Sequence, residues 1–267
     1  MQIFISDLHL GDGSRTDDFH RDKEFLAFLD FVRVQAEELI IVGDLFELWQ
    51  ASLDKILFKH SKVIKGLLTL REKIKIRYVI GNHDYIPFVH FVGLDNGVYL
   101  EYRDSRKKII AEHGNKYDIF NRYKNPLRSI KWSAGKYYTL LIASFERLIH
   151  PDIDVWTKQT LSRVDDFLQE AAMIKNRVPP SSKDYLKRGG HFGEFEKAVK
   201  NHLDKGAKIV VFGHTHKVQL EKVGEGIYAN CGSWVDGAEP TYIACFDDKI
   251  ELRHGLTHKA LKSLDIA

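Results

Sequence analysis

Cysteine is almost missing from this chain: its 267 residues include two, Cys231 and Cys245, and their separation matches no metal-ligand pattern. The expectation is a protein without disulfides, working in a reducing, cytoplasmic compartment. No run of about eighteen or more apolar residues occurs, which argues against a membrane-spanning helix. Met1 passes straight into Gln2-Ile3-Phe4-Ile5-Ser6 without a charged, apolar, small-residue leader, so no targeting segment is expected. Repeats and low-complexity stretches are also missing. Neither sign of charge prevails, with 40 Lys and Arg against 37 Asp and Glu. The net charge of +3 is compatible with an anionic substrate or surface but does not demand one.

What is present is the composition of a globular protein, 44% hydrophobic and 29% charged, in a chain long enough for one large α/β domain with an insertion. Its centre of organisation is Leu39-Ile40-Ile41-Val42-Gly43-Asp44-Leu45-Phe46-Glu47-Leu48-Trp49. Four apolar residues, three of them β-branched, predict a strand buried on both faces, and Gly43 permits a sharp turn that releases Asp44 at the strand's carboxyl end.

The same grammar recurs along the chain. Met1 to Ile5 predicts a strand that ends in Ser6-Asp7-Leu8-His9-Leu10-Gly11, and Glu24 to Val32 has apolar residues at helical spacing before the strand at Leu39. That βαβ unit implies a parallel pair with a right-handed crossover. Leu53 to Leu70 predicts an amphipathic helix, followed by the strand Ile76 to Ile80 and then Gly81-Asn82-His83-Asp84. Val98 to Tyr102 and Lys108 to Ala111 predict two strands, the second leading into Glu112-His113-Gly114-Asn115. Lys208 to Phe212 runs into Gly213-His214-Thr215-His216, and Ile227 to Ala229, Thr241 to Phe246 and Lys249 to Arg253 complete the strands. From 117 to 200 this rhythm gives way to a helical stretch punctuated by Pro126, Pro151, Pro179 and Pro180. Residues 1–116 and 201–267 are therefore expected to form the core, and 117–200 a helical insertion.

Strand ends thus release Asp7 and His9, Asp44, Asn82 and His83, His113, and His214 and His216. Open α/β sheets bind ligands beyond the carboxyl ends of their strands, where groups remote in sequence converge. Carboxylates, an amide and several imidazoles suit divalent metals of intermediate hardness, such as Mn, Fe or Zn. They are too many for one four-coordinate zinc and about right for two metals. Singly, an Asp-x-His or a His-x-His is an ordinary loop feature; five such groups in order at strand ends are not. Cys231 has no base beside it in sequence and is expected to act as a small buried apolar residue, in a run, Ala229 to Val235, that packs beside the metal loops.

The succession Asp7-Leu8-His9, Gly43-Asp44, Gly81-Asn82-His83-Asp84, His113-Gly114 and Gly213-His214-Thr215-His216 resembles the signature of the calcineurin-like metallophosphoesterases. The resemblance covers about the first 115 residues and the last 60. It implies an α/β fold, a four-layer αββα sandwich, with a dinuclear metal centre. Asp7, His9, Asp44 and His216 would hold one cation and Asp44, Asn82, His113 and His214 the other. His83 would donate a proton or hydrogen bond to the transition state, with Asp84 orienting its ring. Two cations roughly 3.5 to 4 Å apart need an anionic bridge, which a monodentate Asp supplies, and together they acidify a water into the hydroxide that attacks phosphorus.

Asp7 to Gly11, the apolar run Gly43 to Trp49 and the insertion between His113 and His214 are similar to the UDP-2,3-diacylglucosamine pyrophosphohydrolases of lipid A synthesis. The commonest branch of those enzymes has arginine where His83 stands and aspartate where Asn115 stands. From Phe120 to His150 the insertion carries Arg122, Lys124, Arg128, Lys131, Lys136 and Arg147 among aromatic and aliphatic residues, with Glu146 as its one acid. Such a stretch suits a glycolipid substrate lid with Asn121 and Arg122 at the headgroup, or a peripheral contact with the inner face of an anionic membrane. It equally suits a half-buried helix packed on the core. Single-stranded nucleic acid is the weaker reading of the same composition. The rival functions are a nuclease or cyclic-nucleotide phosphodiesterase and, in another class, a scaffold that has lost catalysis.

Overall fold

The computed structural model describes residues 1–14, 17–84, 98–117 and 192–266. Two sheets dominate. The larger has seven strands in the order β12 (Ala260–Asp265), β11 (Lys249–His254), β10 (Thr241–Cys245), β1 (Gln2–Ile5), β2 (Glu38–Val42), β3 (Lys75–Val79) and β4 (Val98–Tyr99). The smaller runs β5 (Tyr102–Asp104), β6 (Ile109–Ala111), β7 (Ile209–Phe212), β9 (Gly226–Asn230), β8 (Gln219–Val223). Strands β1 to β4 are mutually parallel, and so are β6, β7 and β9.

The continuous apolar runs follow from burial on both faces. On β1 and β2, Ile3, Ile5, Leu39 and Ile41 pack with Phe25, Phe28, Leu29 and Val32 of α1 (Asp22–Gln35) and Val63, Leu67 and Leu70 of α3 (Ser61–Arg71). The alternate residues Phe4, Ile40 and Val42 face Ile109, Ala111, Ile209, Val211, Ile227 and Ala229 of the second sheet. Each large side chain enclosed this way contributes about 1.5–3 kcal/mol. The outer face of the second sheet meets the last turns of α4 (Phe192–Asp204), where His202 and Glu112 share a 2.7 Å hydrogen bond and the His202 ring lies 6.4 Å from that of Phe212. Helix, sheet, sheet and helix make the αββα sandwich.

Three local features differ from the sequence expectation. The expected strand Val98 to Tyr102 is two strands in different sheets, β4 and β5, because the chain crosses between the sheets at Leu100 and Glu101. The expected helix Leu53 to Leu70 is broken into α2 (Leu53–Lys59) and α3 at His60, whose fully buried ring is held by Asp22 at 2.9 Å with Asp17 at 3.6 Å. Strands β8 and β12 were not expected; both lie at sheet edges, and β12 is largely exposed, so neither shows an apolar run.

The chain separates into two compact units, Met1–Asn115 with Val199–Ala267, and Lys116–Ala198. In the second unit the described residues include Tyr117 and Phe195, whose rings meet edge to face at 6.0 Å. No helix among the described residues is long and apolar enough to cross a membrane.

Candidate metal centre

Parallel neighbours end at the same side of a sheet, so the loops after β1, β2 and β3 and those after β6 and β7 meet at one end of the sandwich. Backbone hydrogen bonds tie them together: Asp7 N–H to Gly43 O at 3.1 Å, His9 N–H to Asp44 O at 3.0 Å and Gly213 N–H to His113 O at 3.2 Å. Among the described residues seven other than glycine have positive φ, and five of them are Asp7, His9, Asp44, His214 and His216. Backbone of this kind costs of order 1–3 kcal/mol per residue and persists where the surrounding fold over-determines it, as at functional sites. Gly81 is fixed by the same crowding, because a Cβ there would overlap the Asp44 carboxylate.

Each aspartate has one oxygen tied down and one aimed inward. Asp7 Oδ2 accepts the Ser6 hydroxyl and, at 2.9 Å, the His214 N–H. Its Oδ1 is buried with no donor in hydrogen-bonding geometry among the described residues, 3.4 Å from His216 Nε2, 3.8 Å from His9 Nε2 and 4.0 Å from His113 Nε2. Asp44 Oδ1 accepts the His83 N–H at 2.8 Å, leaving Oδ2 at 3.0 Å from His113 Nε2 and 3.9 Å from His9 Nε2. Asn82 Oδ1 lies 3.1 Å from His113 Nε2, and His9 and His216 bring their Nε2 atoms to 3.3 Å. Two neighbouring donor groups result: Asp7, His9 and His216, and Asp44, His113 and His214, each with its ligand atoms within 4.8 Å of one another. His113 Nδ1 faces Val42 O at 2.9 Å, which makes it the protonated nitrogen and leaves Nε2 as a donor to a cation.

Burial alone would raise the Asp7 carboxyl pKa, but His216, His9 and His113 hold it well below the ordinary range. Asp44 is likewise depressed, burial being outweighed mainly by the charges of His113 and His83. Burial would lower the pKa of His9; Asp7, Glu47 and Asp44 instead push it well up. For His113, burial is overcome by Asp44, Asp7 and the Val42 carbonyl, and its pKa rises to about 9. Ionised inward-facing carboxylates among imidazoles, including a buried Asp7 oxygen without a donor, are a donor set that fits divalent cations of intermediate hardness.

His83 is placed differently from the sequence expectation. Its Nδ1 is engaged by Glu47, 2.8 Å from Oε1 and 2.7 Å from Oε2, and not by Asp84. Asp84 turns away and accepts from Asp44 N–H, Gly81 N–H, Phe46 N–H and the Tyr78 hydroxyl at 2.8 to 3.1 Å. It braces the loops that carry Asp44 and Asn82. Its carboxyl pKa is pushed up to about 6 by burial and by the Asp44 charge. Glu47 also takes His9 Nδ1 at 2.9 Å, so one carboxylate orients two rings. In the sequence Glu47 carries no signal of this role beyond its place three residues after Asp44. His83 also belongs with His9 and Asp44 to a third group of close donors, but its Nδ1 is committed to Glu47. Cys231 is buried with its thiol pKa pushed well up by that burial, and Trp234 N–H donates to Asp7 O at 3.0 Å, which places this run against the β1 loop. Asn121 and Arg122 lie outside the described residues.

An αββα sandwich with carboxylates and imidazoles gathered at its strand ends defines the class of binuclear metallohydrolases. A sequence profile of the calcineurin-like phosphoesterases matches residues 3–218. The chain belongs to the calcineurin-like phosphoesterase family, whose members carry divalent metal ions in a dinuclear centre. It is 32% identical over 134 residues to UDP-2,3-diacylglucosamine hydrolase of Blochmanniella pennsylvanica, covering 45% of this chain and 52% of that protein. With the enzyme of the same name from Psychromonas ingrahamii it shares 24% identity over 264 residues, 94% of this chain and 95% of the other. The match thus spans about half the length of the Blochmanniella relative. Among solved structures, a phosphoesterase from E. coli (TM-score 0.50, 15% identity, 100% and 99% covered) and a dimetal phosphatase from Danio rerio (0.50, 13%, 100% and 98%) share the fold.

Proposed function

We propose that this protein is a phosphohydrolase that cleaves the pyrophosphate of a nucleotide-activated diacylated sugar, with Mn as its native metal. The observation that carries the reading is Asp44 Oδ2, a single buried carboxylate oxygen 3.0 Å from His113 Nε2 and 3.9 Å from His9 Nε2, and so beside one imidazole of each donor group. Asp7, His9, Asp44 and His216 would hold one cation and Asp44, Asn82, His113 and His214 the other. When bound, two divalent cations supply Lewis acidity toward the phosphoryl oxygens and a nucleophile drawn from water at neutral pH. The chain's own residues do the rest. Asp44 would keep the cations together, Asp7 and Asp44 would balance their charge, and His83, oriented by Glu47, gives a hydrogen bond or proton to the oxygen that gains charge.

In this reading residues 117–200 would serve as a substrate lid and residues 1–116 and 201–267 as the core, Asn121 and Arg122 would recognise the headgroup, and the basic, apolar 120–150 stretch would take the acyl chains or the inner membrane face. The diacylglucosamine relatives support this choice of substrate, and two free, buried cysteines accord with a cytoplasmic setting. The test is turnover by the Mn-loaded full chain of a UDP-linked diacylated glucosamine against single-stranded DNA and a cyclic nucleotide. Cleavage of the glycolipid alone supports the proposal. Cleavage of the DNA or of the cyclic nucleotide in its place makes the protein a nuclease or phosphodiesterase, and inactivity on these and on bis-p-nitrophenyl phosphate makes it a scaffold.

A further inference from the structure

Three successive residues after β2 fasten two successive residues after β3. Glu47 takes His83 Nδ1, the Leu48 N–H donates to His83 O at 3.3 Å, and the Trp49 indole N–H donates to Asn82 O at 2.8 Å. The Trp49 ring then lies flat on the His83 ring, with centroids 4.0 Å apart and planes 19° apart, while the His9 ring meets His83 edge to face at 4.7 Å.

A hydrogen bond at Nδ1 fixes one point of an imidazole and leaves its plane free to turn about that bond. A flat aromatic contact removes the rotation, and stacking of this kind is itself favourable. Trp49 is half-buried rather than enclosed, and its one polar atom is spent on the backbone of a candidate metal ligand. A tryptophan serving only to fill the core would be placed like Trp234, fully enclosed between Phe25 and Phe28. Trp49 instead sits where its ring, flat on the imidazole, sets the plane of His83.

We propose that Trp49 is a positioning residue that holds the His83 imidazole plane against the reacting phosphoryl group. The inference rests on the phosphohydrolase reading, in which His83 addresses the substrate. Misplacing an acting group by a fraction of an ångström to an ångström costs roughly 10- to 100-fold in turnover.

The experiment uses the Mn-loaded full chain and bis-p-nitrophenyl phosphate. Trp49→Ala should lower kcat at least tenfold with KM, metal content and Tm little changed, and Trp49→Phe, which keeps a flat ring, should recover most of the loss. In a His83→Ala background Trp49→Ala should cost nothing further, because residues acting through one another are not additive. Additive losses, or Trp49→Phe as impaired as Trp49→Ala, overturn the proposal. A second readout needs no activity. The Trp49 emission, taken as wild type minus Trp49→Phe, should change when His83 is replaced by Ala in both; an unchanged emission means that the rings do not stack in solution and overturns it as well. Absence of hydrolysis in the wild type refutes the phosphohydrolase reading, while the emission still decides the stack.

Discussion

The Oδ2 atom of Asp44 stands 3.0 Å from Nε2 of His113, although the two residues leave different sheets. Asp44 follows β2 of the seven-stranded sheet and His113 follows β6 of the five-stranded one, so the pair exists only when the sheets are packed face to face. The metal centre therefore reports on the sandwich as much as on its loops.

Replacing Asp44 by Asn keeps the size of the side chain and removes the charge that faces His9 of one donor group and His113 of the other. Two cations would then repel without a bridge, and the variant should retain at most one metal per chain with activity reduced to background. Elemental analysis of the purified variant checks this, and two retained metals would refute it.

His83 and Glu47 should separate by what they disturb. His83→Ala leaves every proposed ligand in place, so metal content should hold while turnover falls by roughly 10²–10⁴-fold, as for an acid–base group. Glu47→Gln touches both His9 and His83, so it should lower metal affinity as well as turnover, each by roughly 10- to 100-fold. Metal titrations beside steady-state kinetics distinguish the two patterns. Loss of metal in His83→Ala would move His83 among the ligands.

The raised His113 pKa fixes a pH dependence in the metal-free protein. Native His113 titrates near 9 and the unfolded side chain near 6.5, so between those values the native state holds more protons. Its contribution to stability is fully present below about pH 6.5 and is lost as pH rises through about 9. The raised pKa of His9 acts in the same direction. Thermal melts in EDTA should show Tm falling from pH 6.5 to 9, with a shallower fall in His113→Asn, whereas metal affinity should tighten over the same range because binding displaces protons. A flat or rising Tm in EDTA would contradict the assignment.

Gly81→Ala tests the packing behind the bridge. The added methyl has to displace the Asp44 carboxylate or its backbone N–H. Metal content and activity should drop together while the far-UV spectrum stays native, since Gly81 lies beyond the end of β3. Full activity in this variant would show that the Asp44 position is not fixed as described.

Much of this centre was legible because a strand buried on both faces must be apolar and must end in a turn, and both marks are local. Leu39 to Val42 followed by Gly43 and Asp44 announces itself, as do the Asn82, His113 and His214 turns. Edge strands β8 and β12 have no such mark, since an exposed strand carries no continuous apolar run. The break at His60 was hidden for a different reason: the apolar spacing continues across it, and what stops the helix is a pair of aspartates from the loop and helix before β2.

The sequence by itself determined the candidate donor residues, their order and their attachment to strand ends, because each depends on a few neighbouring residues. The tertiary structure decided which oxygen of Asp7 and Asp44 faces inward, and which carboxylate governs His83. Asp84 is next to His83 in the chain, yet its oxygens are drawn to four donors, three of them backbone N–H groups at the mouths of β2 and β3. Glu47, 36 residues away, reaches both His83 and His9. Hydrogen bonds follow distance and direction in space, and only the packing of two sheets sets those for groups this far apart along the chain.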